Sequence, residues 1–167
     1  VSISGTAHQY DDEIVSPFTG TSCLALAYEI QERRSTTNWT AWVEIDTGRA
    51  AVPFLLEDET GSVLVDPSRA RLGLESSERI DVDGGERPPP RIQRFIDQNA
   101  DVDAEDQTVD LKLIELNVGA DRRYIERRLD PGAAVTVFGE AVDEPGISSR
   151  VGQVNAVLSA GSHPLVL

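Results

Sequence analysis

Between residues 50 and 67 the chain reads AAVPFLLEDETGSVLVDP: an apolar strand, an acidic turn, a second apolar strand and a proline stop. Gly61 is the residue able to take the positive φ of a tight hairpin. Pro67 has no backbone N–H to give to a ladder, so it ends the second strand. Asp58, Glu59 and Asp66 fall at turn and strand-end positions, where carboxylate oxygens bond nearby backbone. The stretch is therefore scaffold, and it carries no recognisable catalytic group.

The same grammar recurs along the chain. TSCLALAYEIQERR, residues 21–34, combines an apolar run with alternation of Tyr28 and Ile30 against Glu29 and Gln31, which favours a strand wet on one face over a helix. STTN is a turn cluster, and WTAWVEID then resumes a strand pattern closed by Thr47-Gly48, so this pair reads as a hairpin. Prolines 88–90 preset φ for a helix start, while Ile92, Phe95 and Ile96 recur at helical spacing, predicting one helix near 89–98. ADVDAEDQT reads as an acidic loop and VDLKLIELNV as an alternating strand. In RRYIERRLDPGAAVTVFGEAV the DPG is a turn; residues 124–129 fit helix or strand, and a hairpin is the expected outcome. QVNAVLS and HPLVL close the chain as strands. No internal repeat or linker-like tract occurs.

With 167 residues and 40% hydrophobic content, the chain can bury one sizeable core, and a single domain over 1–167 is expected. The formal charge is −14, which opposes a phosphate backbone and argues against nucleic acid as a partner. Lys112 is the one lysine among 15 basic residues, facing 29 carboxylates, with no methionine. Such an acidic, lysine-poor surface stays hydrated in brine, where the Debye length falls to roughly 3 Å at 1 M, and points to an extreme halophile. A chain that starts at Val1 and lacks methionine reads as a piece excised from a longer protein. It contains no run of roughly 18 apolar residues and no basic-then-apolar leader.

Each chemical motif meets a plainer reading. From Asp97, the residues Asn99, Asp101, Asp103 and Glu105 alternate somewhat like a calcium loop, but Val102 stands at the glycine position and Thr108 at the bidentate glutamate position. Zinc would have only Cys23, His8 and His163, far apart in sequence, and Cys23 fits a buried small hydrophobe better than a ligand or nucleophile. Neither histidine lies in a serine-elbow or triad motif, and no phosphate-binding glycine loop is present. The cluster Asp11, Asp12, Glu13 could do acid–base work, yet such clusters arise by chance in so acidic a chain. Arg33, Arg34 and Trp39 surround the turn of a predicted hairpin, the composition that interaction hot spots favour; the competing view makes Trp42 core and Arg33 a counter-charge. Asn38 opens an NWT sequon.

Four stretches in succession resemble the GIDE-type domain of the mitochondrial RING ubiquitin ligase family and its prokaryotic relatives. They are VPFLLED with GSVLVDPSRARLGLES, then GERPPPRIQRFI, then IERRLDPGAAVTVFGEAV, and SHPLVL. The resemblance covers the chain from about residue 16 onward. It implies a membrane-adjacent binding or substrate-recruiting module, anchored by membrane segments outside this chain. A RING finger needs roughly eight Cys and His ligands, and three such residues exist here, so ligase chemistry is not implied.

The expectation is a mainly β chain, an antiparallel barrel-like or partly open sandwich with one helix near 89–98. Its expected role is non-catalytic: an extramembrane interaction or sensing domain with a protein partner, with no cofactor and no metal, its binding surface at Arg33, Arg34 and Trp39. The competing expectation is a metal-assisted hydrolase using clustered carboxylates, and a third is a strand-binding module with aromatics beside basic groups.

Overall fold

The DETG turn closes a hairpin between β6 (Phe54–Asp58) and β7 (Gly61–Val65), with Phe54 opposite Val65 and Asp58 opposite Gly61. Gly61 takes φ 148°. Asp58 Oδ1 accepts from the Thr60 N–H at 2.7 Å, the Thr60 hydroxyl at 2.6 Å and the Gly61 N–H at 3.2 Å. The Ser68 N–H donates likewise to Asp66 at 3.0 Å, just beyond Pro67. Both acids do the turn work their positions imply. The computed structural model describes residues 1–75, 77–102, 119–149, 152–159 and 167.

A six-stranded sheet grows around this hairpin, with β1 (Ser2–Gln9), β10 (Ala134–Phe138), β11 (Glu140–Ser149) and β12 (Gly152–Ser159). Its order is β10-β1-β6-β7-β12-β11, antiparallel except where β12 runs parallel to β7. The second sheet is four-stranded and antiparallel: β5 (Thr40–Ala51), β4 (Ala25–Ser35), β9 (Arg122–Leu129) and β8 (Ser77–Val82) in spatial order. Two-residue strands β2 (Ile14–Val15) and β3 (Ser22–Cys23) pair separately. The chain is mainly β, and the sheets are open and sandwich-like rather than closed into a barrel.

Two apolar clusters hold these sheets. One gathers Ala7, Phe54, Leu56, Val63, Val65 and Val137 from the six-stranded sheet with Leu24, Ala25 and Leu129, where the four-stranded sheet adjoins it. The other lies beneath helix α1 (Pro90–Val102), whose Ile92, Phe95 and Ile96 meet Phe18, Ile30, Val82 and Tyr124. Here Phe18, Tyr28, Phe95 and Tyr124 form a ring cluster of edge-to-face contacts with centroids 5.1–5.5 Å apart. That geometry sets the positive ring edge against the negative face and adds about 0.5–1.5 kcal/mol per pair to the burial. Four of the chain's nine aromatic residues are spent at this one place.

Several expectations are met and others corrected. The β4–β5 and β6–β7 hairpins, the strand over QVNAVLS and the buried Cys23 are as anticipated. The helix starts where the prolines indicate but runs on to Val102, taking in the first residues of the expected acidic loop. The expected hairpin after DPG is wrong: β9 lies in the four-stranded sheet while β10 crosses to the edge of the other. The crossing is held by Gly132 N–H donating to the Ala7 carbonyl at 2.7 Å and Ala7 N–H to the Ala133 carbonyl at 2.9 Å. AAVTVFGEAV then divides at Gly139 into β10 and β11, at opposite edges of one sheet. Strands β1 and β8 carried too little apolar alternation to be foreseen. The strand expected over 109–118, the calcium-like positions from Asp103 onward, His163 and nearly all of HPLVL lie outside the described residues.

Candidate interaction surface

The surface grows from alternation in β9, RRYIERRL. Arg122, Tyr124, Glu126 and Arg128 face inward and are buried, while Arg123, Ile125 and Arg127 face out. The two Arg-Arg pairs therefore divide their labour, one guanidinium of each locking the interior and the other dressing the outer sheet face.

Inside, each charge is matched. Glu126 accepts the backbone N–H groups of Phe18 and Thr19, the Thr19 hydroxyl at 2.7 Å and Arg128 at 3.1 Å. Arg128 in turn donates to Glu78 at 2.7 Å, to Asp130 at 3.1 Å and to Thr19 at 3.2 Å. Burial by itself lowers the Arg128 pKa, but the hydrogen bonds to Glu78 and Asp130 outweigh it, so the guanidinium stays charged. Nearer the hairpin, Arg122 donates to Glu32 Oε2 through Nε at 3.3 Å and Nη2 at 3.2 Å. An isolated charge in the interior would cost several kcal/mol, roughly, and the converging hydrogen bonds offset that cost.

Outside, the β4–β5 hairpin tip holds the three predicted residues. The Thr36 N–H donates to the Trp39 carbonyl at 2.8 Å and the Ser35 and Thr40 hydroxyls meet at 3.0 Å, closing the turn. Trp39 is 51% exposed at its crest. Arg33 sits opposite Trp42 on the outer face and reaches Asp121 at 3.5 Å. Arg34, one residue on, turns to the other face and reaches Glu32 at 3.4 Å. The three residues share one end of the hairpin, but the β alternation sends the two arginines to opposite faces, so they do not form one flat patch.

Sequence reasoning missed the adjoining stack. The guanidinium of Arg123 lies 3.8 Å from the centre of the Trp42 ring, with Asp81 3.6 Å from its Nε. Asp81 also pairs with Arg79 at 3.3 Å, and Arg127 reaches Glu29 at 3.8 Å. Trp42 is thus neither core nor bare: it is a half-buried platform for a cation from β9. The alternation of RRYIERR could have indicated that Arg123 points out, but its ring partner comes from a strand some eighty residues earlier.

Open clefts flank the sheets among the described residues. One of about 720 Å³ lies between the end of β8 and the proline start of the helix, lined by Asp81, Arg87, Pro88, Pro90, Arg94 and Asp97. Another, about 910 Å³, runs along β1 and β10 past Glu75, Arg128 and Phe138. In the acidic cluster near residue 12, Glu13 accepts the Ser22 hydroxyl at 3.2 Å. His8 stands beside Glu57 at 3.6 Å. Among the described residues no three His, Cys, Asp or Glu side chains converge as a metal site, and no helix is long and apolar enough to cross a membrane.

No curated protein and no solved structure matches the chain. The family model for GIDE, described as E3 ubiquitin ligase, matches residues 26–156, from the start of β4 into β12 and so across both sheets. With well over half its length matched, this chain belongs to the GIDE family.

Proposed function

We propose that this chain is a non-catalytic interaction or sensing domain of a membrane-anchored protein from a halophile, recruiting a protein partner through the tip of the β4–β5 hairpin. The observation that carries the reading is the half-exposed Trp39 at the crest, with Arg33 and Arg34 on opposite faces of the strand that leads to it. Tryptophan and arginine are the residues that concentrate binding energy when a partner covers them, because each brings a large contact area and a polar handle. Membership of a ligase family supports a recruiting role, and the membrane setting is inferred from the same kinship. The acidic, lysine-poor composition supports the saline source. The inward charges of β9 belong to the lock rather than to chemistry, since their hydrogen-bonding capacity is directed at one another and at the loop that carries Phe18 and Thr19.

The test is a pull-down from high-salt lysate with the unaltered chain and with the triple change Arg33→Glu, Arg34→Glu, Trp39→Ala. A protein held by the first and lost by the second, at unchanged thermal stability, supports the reading. Equal retention by both overturns it. Titration with calcium, magnesium and manganese followed by NMR separates it from a metal-assisted hydrolase, for which saturable shifts would be confined to one acidic cluster.

A further inference from the structure

Among the described residues, β5 pairs with β4 on one side only, leaving a 12-residue outer edge. The other sheet edges are defended. Strands β10 and β8 are 5 and 6 residues long, and β11 contains Pro145. Short length and proline are among the devices that keep edges from pairing with other chains. The sequence of β5, TAWVEIDTGRAA, has no proline and no lysine.

β5 also carries a bulge whose effect is specific. Ile30 pairs with Asp46 and Gln31 with Glu44, so Ile45 is the extra residue. Ile45 packs into the aromatic cluster, the Tyr28 hydroxyl donates to Asp46, and Gly48 lies under the Tyr28 ring, which puts all three on the inner face. In a regular strand Glu44 and Arg49, five apart, would face opposite ways. The extra residue restores them to one face, with Thr47 between them; all three are exposed, and Arg49 gives Nη1 to the Ala70 carbonyl at 3.2 Å, which leaves its other N–H groups for a facing carboxylate.

We propose that β5 is a self-pairing edge through which two copies of this chain join antiparallel about a twofold axis at Thr47. Thr47 then lies opposite its own copy, Asp46 opposite Gly48, and Glu44 opposite Arg49. By symmetry the carboxylate–guanidinium pair forms twice, and opposite charges in directly facing positions favour such a register. The two four-stranded sheets merge into one of eight strands. Edge pairing of this kind covers less than the roughly 1,200 Å² of a standard interface, so the dimer is weak and reversible. The inference goes beyond the hairpin-tip reading, because changes at Glu44 and Arg49 leave Arg33, Arg34 and Trp39 in place.

Sedimentation velocity of the chain over a range of concentrations, at about 1 M salt to screen its net charge, tests the proposal. The unaltered chain should dimerise. Glu44→Arg alone and Arg49→Glu alone should each weaken the dimer by about tenfold, by setting like charges opposite one another twice, while the double change should restore it. Thr47→Cys should cross-link the dimer on mild oxidation, whereas Thr40→Cys, roughly 40 Å from its copy in this register, should not. A chain that stays monomeric, a dimer indifferent to both single reversals, or one that persists without cross-linking at Thr47→Cys overturns the proposal.

Discussion

Glu126 and Arg128 stand two residues apart on β9, both turned inward, and their side chains meet at 3.1 Å with only 1% and 6% of their surfaces exposed. The contact fastens the loop carrying Phe18 and Thr19 to the four-stranded sheet, because Glu126 accepts both of that loop's backbone N–H groups. Replacing Glu126 by Leu takes one of three carboxylates from the buried Arg128 and unpairs the Phe18 and Thr19 backbone donors and the Thr19 hydroxyl. The expected loss of unfolding free energy is about 3–5 kcal/mol. Glu126→Gln keeps an acceptor for the loop and should cost less. Equilibrium chemical denaturation of the two variants compares them, and equal losses would contradict the account.

Gly48 lies beneath the ring of Tyr28 on the neighbouring strand, so close that an added methyl group would fall within the ring edge. The ring cannot swing aside, since Phe18 and Phe95 hold it at centroid distances of 5.5 and 5.1 Å. Gly48→Ala should therefore destabilise by about 1–3 kcal/mol through overpacking, although alanine suits strands at least as well as glycine. Adding Tyr28→Leu should recover part of that loss, which thermal unfolding of the single and double variants would reveal.

The same tyrosine predicts an alkaline limit. Burial, then the nearby charge of Asp46, pushes the Tyr28 pKa from 10.0 up to about 12. Its folded value lies above its unfolded one, so between those values the unfolded chain binds fewer protons than the folded chain. The contribution to stability is complete below pH 10, declines as the pH rises, and is lost once it passes about 12. Spectrophotometric titration should show Tyr28 ionising about two units later in the folded chain than in denaturant, and Tyr28→Phe should remove that step.

Cys23 is fully buried, and burial first, then the negative charge of Asp130, raises its thiol pKa to about 11. Only the thiolate attacks alkylating and disulfide reagents. At neutral pH the folded chain should be nearly inert to such reagents and react promptly after unfolding. Rapid stoichiometric labelling of the native protein would show that Cys23 is not where the fold puts it.

The elements that were legible in the sequence are those whose cause is local. Gly61 with Asp58, Pro67, the three prolines before Ile92 and the alternation about Tyr28 and Ile30 each act within a few residues, and each was realised. Arg33, Arg34 and Trp39 were identifiable as a hairpin tip by the same token. The Trp42–Arg123 stack was not, because it joins strands distant in sequence. β9 was ambiguous because its inward face carries Arg122, Glu126 and Arg128, which a hydrophobic pattern scores as solvent-facing. Their burial depends on Glu32, Glu78 and Thr19, contributed by other elements.

By itself, then, the sequence determined a mainly β chain, the turns that divide its strands, one helix and its family kinship, since turn chemistry and side-chain alternation are short-range preferences of the backbone. Tertiary structure alone decided that β9 and β10 part into different sheets, that β7 and β12 run parallel, and which arginine of each pair turns inward. Those outcomes follow from hydrogen-bond partners and counter-charges supplied by distant segments, and desolvating a charge is tolerable only where such partners converge.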